Sequence, residues 1–220
     1  EPVFMRTRLA AHGLLDIVDK LDAGIRLELD DGVRLFACPD LLALGWLANR
    51  EREKRHAGRT FFNHNIRIEA TNVCVASCLF CAFARLQPGD DGAYTMSLEQ
   101  VWDKLRVRQH QTLTEVHVVN GLHPDLSFDY YLELLRGLKR IRPDVHLKCF
   151  TAVEIAFFAD LYRMTDEQVL RELMDAGLDS LPGGGAEIFA ERVRRKLCHD
   201  KCGTDRYLEI HRTAHRLGMR

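Results

Sequence analysis

Three thiols within eight residues constrain this chain more than anything else in it. The stretch Thr71-Asn72-Val73-Cys74-Val75-Ala76-Ser77-Cys78-Leu79-Phe80-Cys81-Ala82-Phe83-Ala84-Arg85 spaces Cys74, Cys78 and Cys81 as Cys-x3-Cys-x2-Cys. A structural zinc site takes four ligands, commonly two pairs. A bacterial ferredoxin cluster uses Cys-x2-Cys-x2-Cys with a distant fourth thiolate. Here the first gap is one residue wider and no Cys-Pro follows. Three soft thiolates on one compact loop suit a 4Fe–4S cube gripped at three irons, its fourth corner left open for a ligand. The other reading is a zinc knuckle or incidental thiols, which would make the chain a zinc-stabilised, non-catalytic binding module.

Composition narrows the setting. Hydrophobic residues make up 46% of 220 and the formal net charge is −1, which supplies a core and suggests neither disorder nor general affinity for nucleic acid. No apolar run approaches the roughly 18 residues of a membrane span, and the first residues do not read as a secretory h-region. Seven cysteines, an odd number clustered at one loop, argue against a disulfide framework and for a reducing cytoplasm.

Residues 1–60 read as a helical lead-in. The apolar stripe from Leu9 to Leu21 has helical spacing. Ile25 to Phe36 alternates around Asp31-Gly32 as a hairpin would, yet also fits a short helix. Asp40 can cap a further helix that dissolves into the charged run Arg50 to Arg55, a solvated face. From residue 61 strands and helices alternate. Strands are expected at Ile66–Glu69, Glu115–Val119, Val145–Phe150 and Leu178–Leu181. Capping boxes stand at Ser97-Leu98-Glu99-Gln100 and Thr165-Asp166-Glu167-Gln168. Gly177 stops a helix, Gly183-Gly184-Gly185 opens one near Glu187 to Lys196, and Thr204 caps the last.

Strand starts repeating every 30–50 residues or so are the spacing of βαβ units, whose parallel strands curl toward a TIM-type (β/α) barrel. Four strands would leave a bare edge. The fold expected is therefore α/β, a partial or complete barrel over 61–220 belonging to a longer protein and lacking its C-terminal end.

The cysteine loop resembles the radical S-adenosylmethionine superfamily, whose signature Cys-x3-Cys-x-aromatic-Cys is matched by Cys74, Cys78, Phe80 and Cys81. The resemblance implies a 4Fe–4S cluster on the three cysteines. It also implies S-adenosylmethionine chelated at the open iron, Phe80 beside its adenine, and an electron donor such as a flavodoxin or ferredoxin.

In such barrels the working groups stand at the C-terminal ends of strands. After the second expected strand, Asn120-Gly121 lies where the family carries a Gly-Gly-Glu-like segment. That keeps a backbone contact to the cofactor but supplies no following acid. His123 could carry a proton or donate to a substrate carboxylate, or merely shape a turn before Pro124. After the third, Thr151 and Glu154 stand at the barrel mouth. Glu154 is either a polar partner of the cofactor or a first-turn acid favoured by the helix dipole. After the fourth, the run from Gly183 to Glu187 lets backbone approach a ribose or carboxylate, which puts Gly184 and Glu187 among the cofactor contacts. Arg192, Arg194 and Arg195 read as solvated. Cys198 and Cys202 read as incidental, Cys149 as a buried small hydrophobe, and Cys38 has no evident partner.

The flanks Asn63-His64-Asn65-Ile66-Arg67-Ile68-Glu69, Glu115 to Leu126, Lys148 to Ile155 and Leu181 to Ile188 resemble the aminofutalosine synthases, from about residue 9 onward. The resemblance tips residues 25–38 toward helix. It implies addition of a 5′-deoxyadenosyl radical to 3-[(1-carboxyvinyl)oxy]benzoate, giving 6-amino-6-deoxyfutalosine for menaquinone. S-adenosylmethionine is then consumed as co-substrate. Such a dicarboxylate asks for cations at the cavity, with Arg67, Arg85 and His64 as candidates. Rivals within the superfamily are cyclic dehypoxanthine futalosine synthase and the deazaflavin-cofactor synthases.

Overall fold

Gly13 sits in the left-handed region at φ +64°, and there the stripe expected as one helix breaks into two. The computed structural model describes residues 3–219, which fall into two compact units, Glu1–Phe62 and Asn63–Arg220. In the first, α1 (Val3–Ala11) and α2 (Leu15–Asp22) flank that glycine, followed by α3 (Leu29–Ala37) and α4 (Leu41–His56). The hairpin alternative around Asp31 is thus excluded. The buried Asp31 carboxylate accepts from Lys20 Nζ at 2.8 Å and from the Glu28 N–H at 3.0 Å, which fixes the first turn of α3. Asp40 caps α4 by accepting from the Ala43 N–H at 3.1 Å. The charged run does not end that helix; it forms its solvated second half. Leu9, Leu14, Ile17, Val18, Ala43 and Leu47 make the core of this unit, and Cys38 is buried among them.

In the second unit, β1 (Asn65–Ile68), β2 (Glu115–Val118) and β3 (His146–Cys149) form a parallel sheet in that order. Alternation sets its two faces. Ile66, Ile68, Val116, Val118, Leu147 and Cys149 are buried in the helix-side core. Each fully buried aliphatic side chain contributes about 1.5–3 kcal/mol. The other face carries polar residues in register, with Arg67 beside His117 and His117 beside Lys148.

The helices α5 (Leu98–Arg106), α6 (Phe128–Ile141), α7 (Ala152–Tyr162), α8 (Asp166–Asp175), α9 (Glu191–Leu197) and α10 (Thr204–Arg216) complete the unit. Both expected capping boxes form, Gln100 N–H to Ser97 Oγ at 3.3 Å and Gln168 N–H to Thr165 Oγ1 at 3.1 Å. The α5–α6 contact needs Gly137, because a Cβ there would lie 2.0 Å from Trp102 Nε1.

Three expectations are corrected. The fourth strand shrinks to one parallel bridge between Lys148 and Ser180. The Asp179 carboxylate takes the Leu147 N–H at 2.7 Å, a donor that a continuing ladder would have given to a carbonyl. The glycine run forms a turn, with Gly185 at φ +84° and Glu187 at φ +50°, and α9 starts only at Glu191. Gly203, not Thr204, is the N-cap of α10. The result is α/β: three parallel strands with helices against one face, the opening portion of a (β/α) barrel. Among the described residues no helix is long and apolar enough to cross a membrane.

Candidate cluster and cofactor site

The chain leaves β1 directly into the cysteine loop, and that loop is tied down along three margins. Cys74 N–H donates to Arg85 O and Arg85 N–H to Asn72 O, each at 2.8 Å, which draws the loop shut across its base. The Arg85 guanidinium donates to the carbonyls of Asp91, Ala82, Phe83 and Ala84 at 2.8–3.3 Å, so it is a loop clip. The second margin is the segment after β2. Val75 N–H donates to Leu122 O at 3.0 Å and Gly121 N–H to Thr71 O at 2.9 Å. A Cβ on Gly121 would meet Val73 O at 2.2 Å. Only glycine allows that approach. The third margin is the end of α9 and the segment after it: Leu79 N–H donates to Leu197 O at 2.9 Å, and Asp200 Oδ2 accepts from Ser77 N–H and Oγ at 2.8 and 2.9 Å.

The thiols of Cys74, Cys78 and Cys81 border a cavity of about 400 Å3 together with Phe80, Asn120, Gly121, Thr151, Glu154, Gly184 and Glu187. Ten of the eleven residues assigned from sequence to cluster, cofactor or catalysis thus meet at one place. The eleventh, His123, is buried elsewhere and its Nδ1 accepts from the Asp125 N–H at 3.1 Å. Its ring closes the turn around Pro124 and does not border the cavity. Arg67 does border it, whereas His64 and the Arg85 clip do not.

Glu154 joins two strand ends. Its Oε1 accepts from Asn120 N–H at 3.0 Å; its Oε2 accepts from Thr151 N–H at 2.7 Å and from Thr151 Oγ1 at 3.0 Å. Thr151 returns the bond by accepting from Glu154 N–H at 3.2 Å, completing a third capping box. Burial pushes this carboxyl up to about 7 against the pull of those three donors. Asn120 Oδ1 accepts from Ala70 N–H at 2.7 Å, which leaves Nδ2 buried without a partner at the cavity wall. Gly184 packs on Thr151, its Cβ position 3.2 Å from Thr151 Cγ2.

Several functional groups were not found from sequence. Lys201 borders the cavity, pairs with Glu187 at 2.7 Å and stands 5.3 Å over the Phe80 ring. Burial raises the Cys78 thiol, and the Lys201 charge pulls it back toward the thiolate a metal requires. Arg194 is not solvated as expected. It is 3% exposed and donates to the carbonyls of Ala186 at 2.6 Å and Cys202 at 2.7 Å, stapling the glycine turn to the segment carrying Lys201. Its signal lay in the loop carbonyls around it, which no motif announces. The Cys198 and Cys202 thiols are free and lie outside the cavity.

The donor set fits an iron–sulfur cube. Among the described residues no group of three or more Cys, His, Asp or Glu side chains converges to hold a single metal ion. A lone zinc would need its sulfurs all within about 2.3 Å of one point. A polynuclear cluster needs one thiolate per corner, and the loop offers three at the rim of one cavity.

The chain is similar to several known proteins. The chain is 46% identical to the aminodeoxyfutalosine synthase of Thermus thermophilus over 206 residues, 94% of this chain and 55% of that protein. It is 42% identical to the enzyme of the same name from Streptomyces coelicolor, over 93% of this chain and 53% of that one. It is also 42% identical to the 5-amino-6-(D-ribitylamino)uracil–L-tyrosine 4-hydroxyphenyl transferase of Methanopyrus kandleri, over 78% of this chain and 46% of that one. The chain spans about half the length of these relatives. Among solved structures, methylornithine synthase superposes with a TM-score of 0.65 at 18% identity, covering 91% of this chain and 56% of that one, a likeness of fold alone. The radical SAM superfamily matches residues 68–220. Its members use a 4Fe–4S cluster and S-adenosylmethionine, and with that match over more than half its length this chain belongs to the radical SAM superfamily.

Proposed function

We propose that this chain carries the cluster and cofactor site of an aminofutalosine synthase, acting in the cytoplasm on 3-[(1-carboxyvinyl)oxy]benzoate to give 6-amino-6-deoxyfutalosine. One observation carries the reading: the three thiols border the same cavity as the Phe80 ring and the Asn120–Glu154–Thr151 bracket. Identity to two aminodeoxyfutalosine synthases over nearly the whole chain supports this member of the superfamily over others.

When bound, a cluster reduced by a donor of the flavodoxin or ferredoxin kind would supply the electron that cleaves S-adenosylmethionine into methionine and a 5′-deoxyadenosyl radical. The chain's own residues do the rest. Cys74, Cys78 and Cys81 are the cluster ligands. Phe80 offers an aromatic ring to the adenine, and Lys201 stands over the same ring at the cavity wall. Asn120 Nδ2, buried and unpaired, is a ready donor to the cofactor's polar end. Glu154 holds the two strand ends that present Asn120 and Thr151 at a fixed separation. Gly184 and Glu187 shape the far wall, where a side chain on the glycine would crowd Thr151. Ala76, Leu122 and Val153 give the cavity an apolar wall, the kind of lining that shields a primary radical.

The Methanopyrus kandleri relative keeps a second reading open within the superfamily, a transferase of the deazaflavin-cofactor kind, and cyclic dehypoxanthine futalosine synthase is a third. The test is oxygen-free reconstitution of the full-length protein, an EPR spectrum with and without S-adenosylmethionine, then product mass with the enolpyruvyl benzoate. A spectrum that changes on adding S-adenosylmethionine and a product of the mass of aminofutalosine support the proposal. An adduct with tyrosine instead favours the second reading, and bound zinc without sulfide overturns all three.

A further inference from the structure

The sheet face turned away from the helices carries a row that neither the cluster nor the cofactor uses. Arg67, His117 and Lys148 are register partners on β1, β2 and β3. With strands about 4.8 Å apart, the row spans roughly 10 Å. Lys148 is committed to Glu115 at 2.7 Å, and Glu115 is further held by Asn65 Nδ2 at 3.2 Å. That pair is internally neutral and nearly closed to solvent on the acid's side.

The other two members differ. Arg67 and His117 both border the cavity. Arg67 meets Glu69 through Nε at 2.5 Å, and its side chain is 64% exposed, which leaves the terminal edge of the guanidinium fork for a second acceptor. His117 Nε2 is buried with no hydrogen-bond partner. A buried polar atom left unpaired costs about 1–3 kcal/mol and marks a place where a partner is missing. The groups around the ring are Arg67, Lys148, Glu115 and Glu69. Burial, then the two cations, keeps the imidazole below its ordinary range, which favours the uncharged ring; in its Nε2–H tautomer that ring is a donor.

We propose that Arg67 and His117 form a carboxylate-binding subsite on the strand-lined wall of the cavity. The guanidinium edge and the imidazole N–H grip one carboxylate of an aromatic dicarboxylate substrate, with Lys148, paired to Glu115, next to His117 in the register. The identity of that substrate rests on the function proposed above. The chemistry of the subsite does not.

The experiment uses the full-length, cluster-loaded enzyme and benzene-1,3-dicarboxylate as an unreactive probe, with benzene-1,3-dicarboxamide as its uncharged counterpart. Calorimetry should show the diacid binding and the diamide not. Arg67→Met and His117→Leu should each weaken the diacid about tenfold or more, the loss expected for one hydrogen bond to a charged group. Glu69→Gln should tighten it severalfold by releasing the guanidinium, a gain no misfolded protein would give. The imidazole signal of His117 should titrate at higher pH with the diacid bound. Diacid affinity unmoved by Arg67→Met and His117→Leu, or weakened by Glu69→Gln, overturns the subsite. The two readings separate cleanly. If no aminofutalosine forms but diacid binding depends on both residues, the subsite stands and the reaction assignment falls. If the product forms while KM and diacid affinity ignore both substitutions, the assignment stands and the subsite falls.

Discussion

Asp200 holds Ser77 twice, its Oδ2 accepting from both the backbone N–H at 2.8 Å and the hydroxyl at 2.9 Å. The two residues are 123 positions apart, so the segment after α9 is a direct brace on the cysteine loop. Those two bonds hold the Asp200 carboxyl below its ordinary range, the backbone bond most of all. A hydrogen bond to a charged acceptor is worth about 1.5–3 kcal/mol. Asp200→Ala should leave circular dichroism unchanged and lower the iron and sulfide retained after anaerobic gel filtration at least twofold. Full retention would show that the brace is dispensable.

Gly121→Ala tests the second margin. The added carbon would lie 2.2 Å from Val73 O and 2.8 Å from Val73 C, both backbone atoms. Overpacking of this kind typically costs about 1–3 kcal/mol, or a few degrees in Tm for a unit of this size. Calorimetry should show that drop together with poorer cluster loading. An unchanged Tm would mean the loop moves aside freely.

The thiols should divide by position. Cys78→Ala should abolish cluster assembly, read as loss of the broad iron–sulfur absorbance, with the fold retained. Cys198→Ala and Cys202→Ala should retain at least four-fifths of the iron, a fraction read from iron analysis, because neither thiol borders the cavity. A large loss in either would make one of them a ligand.

Glu154 predicts a pH signature. Its carboxyl is raised from 4.5 to about 7 in the folded chain, so between those values the folded state holds a proton that the unfolded state has released. The stability this contributes is fully present below about 4.5 and is lost as pH rises through about 7. A shift of this size corresponds to roughly 3 kcal/mol. Glu154→Gln should therefore gain on the parent as pH goes from 5 to 8, measured by urea unfolding at each pH. A constant difference would mean the carboxyl is ionised throughout.

The cysteine signature, the parallel strands and the capping boxes were legible because each is a short-range pattern with its own local cause. Thiol spacing fits a cluster, alternation at Ile66 and Ile68 builds a sheet face, and Ser97 with Gln100 satisfies the first orphan N–H groups of a helix. The fourth strand was not legible, since Leu178–Leu181 has strand composition while Asp179 spends its carboxylate on the Leu147 N–H. His123 stayed open between two readings because a loop imidazole looks the same in sequence whether it faces a cavity or closes a turn, and the structure gives it the turn.

The amino-acid order alone determined that three thiolates and an aromatic ring share one loop at the end of a strand, a matter of local spacing. Only the tertiary structure decided what surrounds them: that Asp200 and Lys201 return to that loop, that Arg194 is a buried staple, and that Arg67 lies beside His117 with an imidazole nitrogen unpaired. Those relationships join residues 50 or more positions apart, or a side chain to the carbonyls of a turn, through strand register and the folding-back of the chain. Sequence periodicity carries no signal of either.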